Sequence, residues 1–97
     1  MRQLTEQQVK DHVHNIAGYG GDFIYSNHAR DRMEERGYTF RDLCKIISAG
    51  SLIDIKKNTE AGNWKYTFNG NDLSGDEGSI VITLISLRGC VVITVLS

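Results

Sequence analysis

The sequence predicts a single α+β domain over residues 1–97, with N-terminal helices packed on a C-terminal antiparallel sheet of about four strands. Two changes of pattern carry that expectation. Up to Ala49, apolar residues recur at helical spacing between residues that start and stop helices. After Gly50 they alternate, or run together in β-branched stretches. A chain of 97 residues with no proline, repeat or linker suits one modest core.

The elements follow in order. Thr5 is a helix cap, Gln8 completes its capping box and Gly18 is the stop, so a first helix is expected over 5–17. Its apolar positions are Val9, Val13, Ile16 and Ala17. The run from Gly18 to Gly21 is a turn, and Asp22 to Tyr25 is a short extended piece. Ser26 caps a second helix that ends at Gly37. Thr39, with Asp42 at the capping-box position, caps a third that runs to Ala49 before Gly50. Phe40, Leu43, Cys44, Ile46 and Ile47 form its apolar stripe. Strands are expected at Leu52 to Lys57 and Asn63 to Phe68, with a turn over Asn58 to Gly62. In the second of these, Trp64, Tyr66 and Phe68 share one face and Lys65 and Thr67 the other. Asn69 to Gly78 is a polar loop, and Ser79 to Ser86 and Cys90 to Leu96 form a terminal hairpin of β-branched strands.

Composition narrows the functions. Apolar residues at 40% and charged residues at 24% argue for a globular chain rather than a disordered one. A formal net charge of −1 gives no global basic field, so nucleic-acid contact would need a local patch. The basic residues do gather: Arg30, Arg32, Arg36, Arg41 and Lys45 lie close together, while Asp72, Asp76 and Glu77 collect negative charge elsewhere. Cys44 and Cys90 sit in apolar runs and read as buried free thiols. The longest apolar run, Ile80 to Leu87, is too short to span a bilayer, and the first residues have no apolar signal-peptide core. The cytoplasm is the expected compartment, with no membrane partner.

The candidate chemistry centres on the second helix. His28, Arg32 and Arg36 are four apart and fall in one row, placing a proton-transfer group beside two permanent cations. That combination suits phosphate chemistry. The same pattern also describes a solvated helix with Ala29 and Met33 facing the core and Asp31 and Glu35 in local ion pairs. Lys57 ends one expected strand and Lys65 lies on the polar face of the next, so antiparallel pairing would bring them within reach of each other. A lysine doublet such as Lys56-Lys57 also serves simply to guard an exposed edge. Trp64 and Tyr66 read as core aromatics, with base stacking as the alternative. His12 and His14 are two apart on a helix and point in different directions, so no metal and no cofactor is expected. The glycines fit no phosphate-cradling loop, and no G-x-S-x-G context occurs.

The segment Ser26-x-His28-Ala29-x-x-Arg32-Met33-x-Glu35-Arg36-Gly37 resembles the signature helix of a widespread bacterial domain family of unknown function. Members of that family continue with a second helix, a strand pair and a closing V-V-I-T-V strand, here Val91 to Val95. From Leu4 onward the chain also resembles the MqsR-type mRNA interferase toxins, which have the RelE-like fold and cut mRNA without the ribosome. The similar parts are Gln8-Val9-Lys10, Gly37-Tyr38-Thr39-Phe40, Leu43-Cys44, Ile46-Ile47, the Asp54 to Lys57 strand end, Trp64 with Tyr66, and the terminal hairpin. The resemblance implies a RelE-like fold and a catalytic lysine at Lys57. It puts Lys65 where those toxins have a glutamine, Val81 in place of a tyrosine and Leu96 in place of a C-terminal lysine.

The resulting expectation is a toxin-type endoribonuclease that cleaves mRNA without a metal and has an antitoxin or other protein as partner. The candidate catalytic residues are His28, Lys57 and Arg32, and the candidate RNA- and phosphate-binding residues are Arg36, Lys65, Lys56 and Arg30. The rival expectation is a non-catalytic protein-binding module of the phage or mobile-element kind, on the same scaffold with an eroded active site. A charge of −1 is low for an RNA-directed toxin and fits the rival better.

Overall fold

Each helix begins where its cap is written. A computed structural model describes residues 3–18, 21–58, 63–86 and 89–96. Helix α1 (Glu6–Gly18) opens with the expected box: Gln8 N donates to Thr5 Oγ1 at 3.2 Å, and Thr5 N donates to Gln8 Oε1 at 2.9 Å. Strand β1 (Asp22–Tyr25) leads into α2 (Asn27–Arg36) and then α3 (Phe40–Ala49). The box of α3 is closed by Thr39 N donating to Asp42 Oδ2 at 2.8 Å. The remaining elements are β2 (Ser51–Asn58), β3 (Asn63–Asn71), β4 (Glu77–Ser86) and β5 (Gly89–Leu96).

The α+β class holds, but among the described residues the sheet has five strands, in the order β1-β5-β4-β3-β2. Strands β2 to β5 form the antiparallel meander expected from the sequence. The extra strand is β1, which pairs in parallel with β5, Asp22 opposite Gly89 through Tyr25 opposite Val92. Parallel pairing to a strand so distant in the chain leaves no local signal in four residues.

Two boundaries also move. Strand β3 runs on to Asn71 and β4 starts at Glu77, so the long polar loop shrinks to a turn at Asp72–Asp76. The Asp72 carboxylate holds that turn, accepting from Ser74 N at 2.9 Å and Asp76 N at 3.0 Å. Asn58, read as turn, ends β2; the rest of that turn, and residues 87–88 of the hairpin, lie outside the described residues.

The core lies between the helices and one face of the sheet. Tyr66, Phe68, Ile80, Ile82, Leu84, Cys90, Val92 and Val95 meet Val9, Val13, Ile16, Leu43, Ile46 and Ile47. Helix α3 packs on β2, β3 and β4, α1 on α3, β1 and β5, and α2 on β5 and β1. Phe40 falls outside the expected buried stripe of α3, and Ala17, an apolar position of α1, is exposed; Phe40 is 37% exposed and meets Phe23 edge-on, with centroids 4.8 Å apart. Cys90 is buried, and burial pushes its thiol up to about 12. Cys44 is only half-buried. No helix among the described residues is long and apolar enough to cross a membrane.

Two ties pin α3. Gly50 follows it, and a Cβ there would collide with the carbonyl oxygens of Ile46 and Asn69, so α3 can turn into β2 at this spot only through a glycine. At the other end Asp42 accepts from Leu73 N at 3.0 Å as well as from the cap. Backbone donors from Thr39 and Leu73 hold its carboxyl below the usual value.

Gly50→Ala should lower stability by about 2 kcal/mol or more, read as an earlier denaturation midpoint, because backbone atoms on both sides must move. Asp42→Asn tests the carboxylate. Since its folded pKa is depressed, the stability it contributes is present above the ordinary value of 3.8 and lost as pH falls through the lower folded value. Thermal melts should therefore show wild type ahead of Asp42→Asn at neutral pH, with the gap closing below about pH 4.

Candidate functional site

Helix α2 is short and rigidly ended. Ser26 Oγ accepts from Ala29 N at 3.0 Å. At the other end Gly37 takes a left-handed conformation (φ 68°), and Tyr38 N donates to Met33 O at 2.8 Å. Ala29 is fully buried and Met33 packs against the core, which fixes the rotation of the helix. His28 and Arg30 are therefore exposed, while Arg32 and Arg36 flank the buried stripe and are half-buried.

The row does not act as one unit. Arg32 Nη1 lies 3.6 Å from Glu35 Oε2 at the surface, a weak and screened pair. Arg36 is engaged inward: its Nη2 donates to Tyr38 Oη at 3.1 Å and reaches Glu77 O at 3.5 Å, and its guanidinium lies 4.8 Å from the Tyr38 ring centre. Burial raises the Tyr38 phenol pKa, while Arg36 pulls it down. Arg36 thus ties the end of α2 to the start of β4. Among the described residues the Nε atoms of Arg32 and Arg36 are buried without a partner.

The lysines are arranged differently from the expected pairing. Lys65 stands opposite Lys56, and Lys57 stands opposite Trp64, with Lys57 Nζ 5.9 Å from the Trp64 ring centre. Alternation along the strands puts Lys56 and Lys65 on one face of the sheet and Lys57 on the other, so Lys57 and Lys65 do not converge. Nor does Lys57 join the α2 row. It lies on β2, three strands from β5, or about 14 Å in strand spacing.

A second feature is one that sequence reasoning missed as a whole. The sheet face away from the buried core forms a groove of about 450 Å³, lined by Ile53, Asp54, Lys56, Lys65, Thr67, Val81, Thr94 and Leu96. It crosses β2, β3, β4 and β5, and its β5 rim belongs to the strand on which α2 packs. Three of the four positions that the toxin resemblance singles out, Lys65, Val81 and Leu96, line this one groove; the fourth, Lys57, is replaced there by its neighbour Lys56. Lys56 and Lys65 face each other as like charges, an arrangement that costs stability unless an anion or acid sits between them. Asp54 Oδ2 is 3.8 Å from Lys56 Nζ and offsets only part of it. Thr94 Oγ1 is buried with no partner among the described residues. The alternation of Lys65 and Thr67 was the available signal for this face; Thr94 had none, because a register shift precedes it in β5. Among the described residues no three His, Cys, Asp or Glu side chains are grouped so as to hold a metal.

Residues 25–97 match the family model described as Domain of unknown function (DUF4258), and the chain belongs to that family. The match takes in α2, α3 and the four-stranded meander and leaves out α1. No curated protein and no solved structure matches the chain.

Arg36→Ala should lower stability by about 1–2 kcal/mol through loss of the Tyr38 and Glu77 contacts. His28→Ala and Arg30→Ala, both at exposed positions, should leave the unfolding midpoint within about 0.5 kcal/mol of wild type. Chemical denaturation of the three variants checks this ordering.

Proposed function

We propose that the protein is a toxin-type endoribonuclease that cleaves RNA without a metal, with RNA lying in the open groove and crossing its β5 rim toward α2. The observation that carries this reading is the groove itself, where Lys56 and Lys65 offer a cationic pair, offset only in part by Asp54, beside the hydroxyls of Thr67 and Thr94. Ammonium groups and hydroxyls are the donors a phosphodiester backbone requires. In the reaction the ribose 2′-hydroxyl attacks the adjacent phosphorus, its proton passes to a general base, and the 5′-oxygen leaves with a proton from an acid. His28 is the proton-transfer group, exposed at the start of α2, and Arg32 stabilises charge on the phosphoryl oxygens. Lys65, with Lys56, holds the backbone on the sheet. Lys57 has no part in the chemistry, since its side chain lies beside Trp64 on the other face. Arg36 supports α2 rather than RNA. An antitoxin or other protein that covers the groove is the partner this reading calls for.

The second reading, a protein-binding module without catalysis, is favoured by one observation. Val81 and Leu96 give the groove an apolar floor at positions where the similar toxins carry reactive side chains.

Incubating purified protein with single-stranded RNA in chelator separates the two. Cleavage by wild type, lost by at least about a hundredfold in His28→Ala, is the expected result. Lys65→Ala should weaken RNA binding and flatten its salt dependence by about one unit of slope. Wild type that neither binds nor cleaves RNA would leave the module reading standing.

A further inference from the structure

Strand β2 is the outermost strand of the sheet among the described residues, and none of the described strands pairs with its outer side. At the opposite edge β1 has only four residues, and the chain continues along β5 as α2, with Ser26 N donating to Val92 O at 3.0 Å. Strand β2 is thus the long open edge among the described residues. Its start is already used, because Leu52 N donates to Glu6 Oε1 at 2.8 Å. The free stretch runs from Ile53 to Lys57.

Natural edges are guarded by charged side chains, lysine above all, and by bulges. This one carries Lys56, Lys57 and the irregularity at Ile53, but it also mixes signs: Asp54 and Lys56 flank Ile55, share a face, and are 47% and 76% exposed at the side chain. That pattern is complementary to itself. If two copies pair antiparallel about a two-fold axis at Ile55, Asp54 of each copy faces Lys56 of the other and the two Ile55 side chains face each other. A slip of two residues one way sets Asp54 against Asp54, and the other way Lys56 against Lys56, so charge selects the register. The regular pairing runs from Asp54 to Lys56, short of the irregularity at Ile53, and so leaves Leu52 with Glu6. Ile53, the most exposed large apolar side chain of the described residues at 59%, falls at the seam.

We propose that the protein self-associates as a two-fold dimer through its β2 edges in the register centred on Ile55. The two sheets become one, and because the axis is perpendicular to the sheet both grooves open on the same side. Their rims at Ile53, Asp54 and Lys56 meet in the middle of a single trough. The dimer stands independently of RNA cleavage.

Molecular mass by sedimentation equilibrium over a dilution series tests it. Wild type is expected to dimerise and to dissociate on dilution. Asp54→Lys and Lys56→Asp should each weaken the dimer by about tenfold or more, since each turns two attractive pairs into two repulsive ones. An equimolar mixture of the two variants should recover the dimer as a heterodimer, and the double variant carrying both changes should dimerise like wild type, its charges exchanged but still complementary. All three variants alter exposed side chains, and circular dichroism confirms their fold before weighing. A wild type with single-chain mass throughout, or single variants that associate as tightly as wild type, would overturn the proposal.

Discussion

The pairing of β1 with β5 is the contact on which the rest of the architecture depends. It joins Asp22–Tyr25 to Gly89–Val92, the start of the chain to its end, and Ser26 N extends it by one more bond to Val92 O. With β1 in place the first half of β5, Gly89 to Val92, is paired on both sides. The same pairing sets α2 down on β5, because only Ser26 separates β1 from the helix. Every element between them must fold back within that closure. The meander alone, with its hairpin-linked neighbours, would not place α2 on the sheet. The cost is a contact between residues far apart in sequence, paid in loop entropy and slow formation.

A second set of ties fastens the helical layer to the far end of the sheet, where negative charge gathers in the sequence. One of the three carboxylates gathered there is committed to structure. Asp72 is 4% exposed and its carboxylate is committed to the turn it sits in. Asp42 holds the α3 cap and Leu73 N together. Lys45 Nζ donates to Asp72 O at 2.9 Å and Asn71 O at 3.3 Å, and Arg36 reaches Glu77 O. Two of the five residues in the apparent basic patch are therefore occupied in anchoring α2 and α3 to the β3–β4 turn. A count of cations along the chain overstates the cationic surface for this reason.

What could be read in the sequence was what is local in the chain. Caps and stops are set by residues within one turn of each other, so Thr5, Ser26, Gly37, Thr39 and Gly50 marked the helices correctly. Alternation over Trp64 to Phe68 gave the faces of β3 for the same reason. What could not be read depends on register. Whether Lys56 or Lys57 faces Lys65 is decided by a one-residue difference in pairing, and that difference exchanges the two sheet faces. The irregularities after Leu52 and before Thr94 rotate neighbouring side chains in ways that no periodicity announces. The fate of Arg36 was illegible too, since its partners Tyr38 and Glu77 O meet it only after β4 has been laid beside the helix.

The groove and the α2 row pose one physical question between them. A pair of like charges held opposite each other, Lys56 and Lys65, is a standing cost to the fold, and Asp54 relieves it at only 3.8 Å from one member. Sequences tolerate such conflicts chiefly where a ligand resolves them. An anionic backbone would do so here, gaining the Coulomb energy that the fold forgoes. The apolar lining at Val81 and Leu96 supplies no proton-transfer group, and in the RNA-cleaving reading that group comes from beyond the β5 rim. Strand β5 forms that rim, and the helix packed on β5 carries the exposed histidine. Binding and proton transfer would then reside on different elements, the sheet supplying charge and α2 the titratable group. The contact between α2 and β5, set by the β1 pairing, would fix the geometry between them.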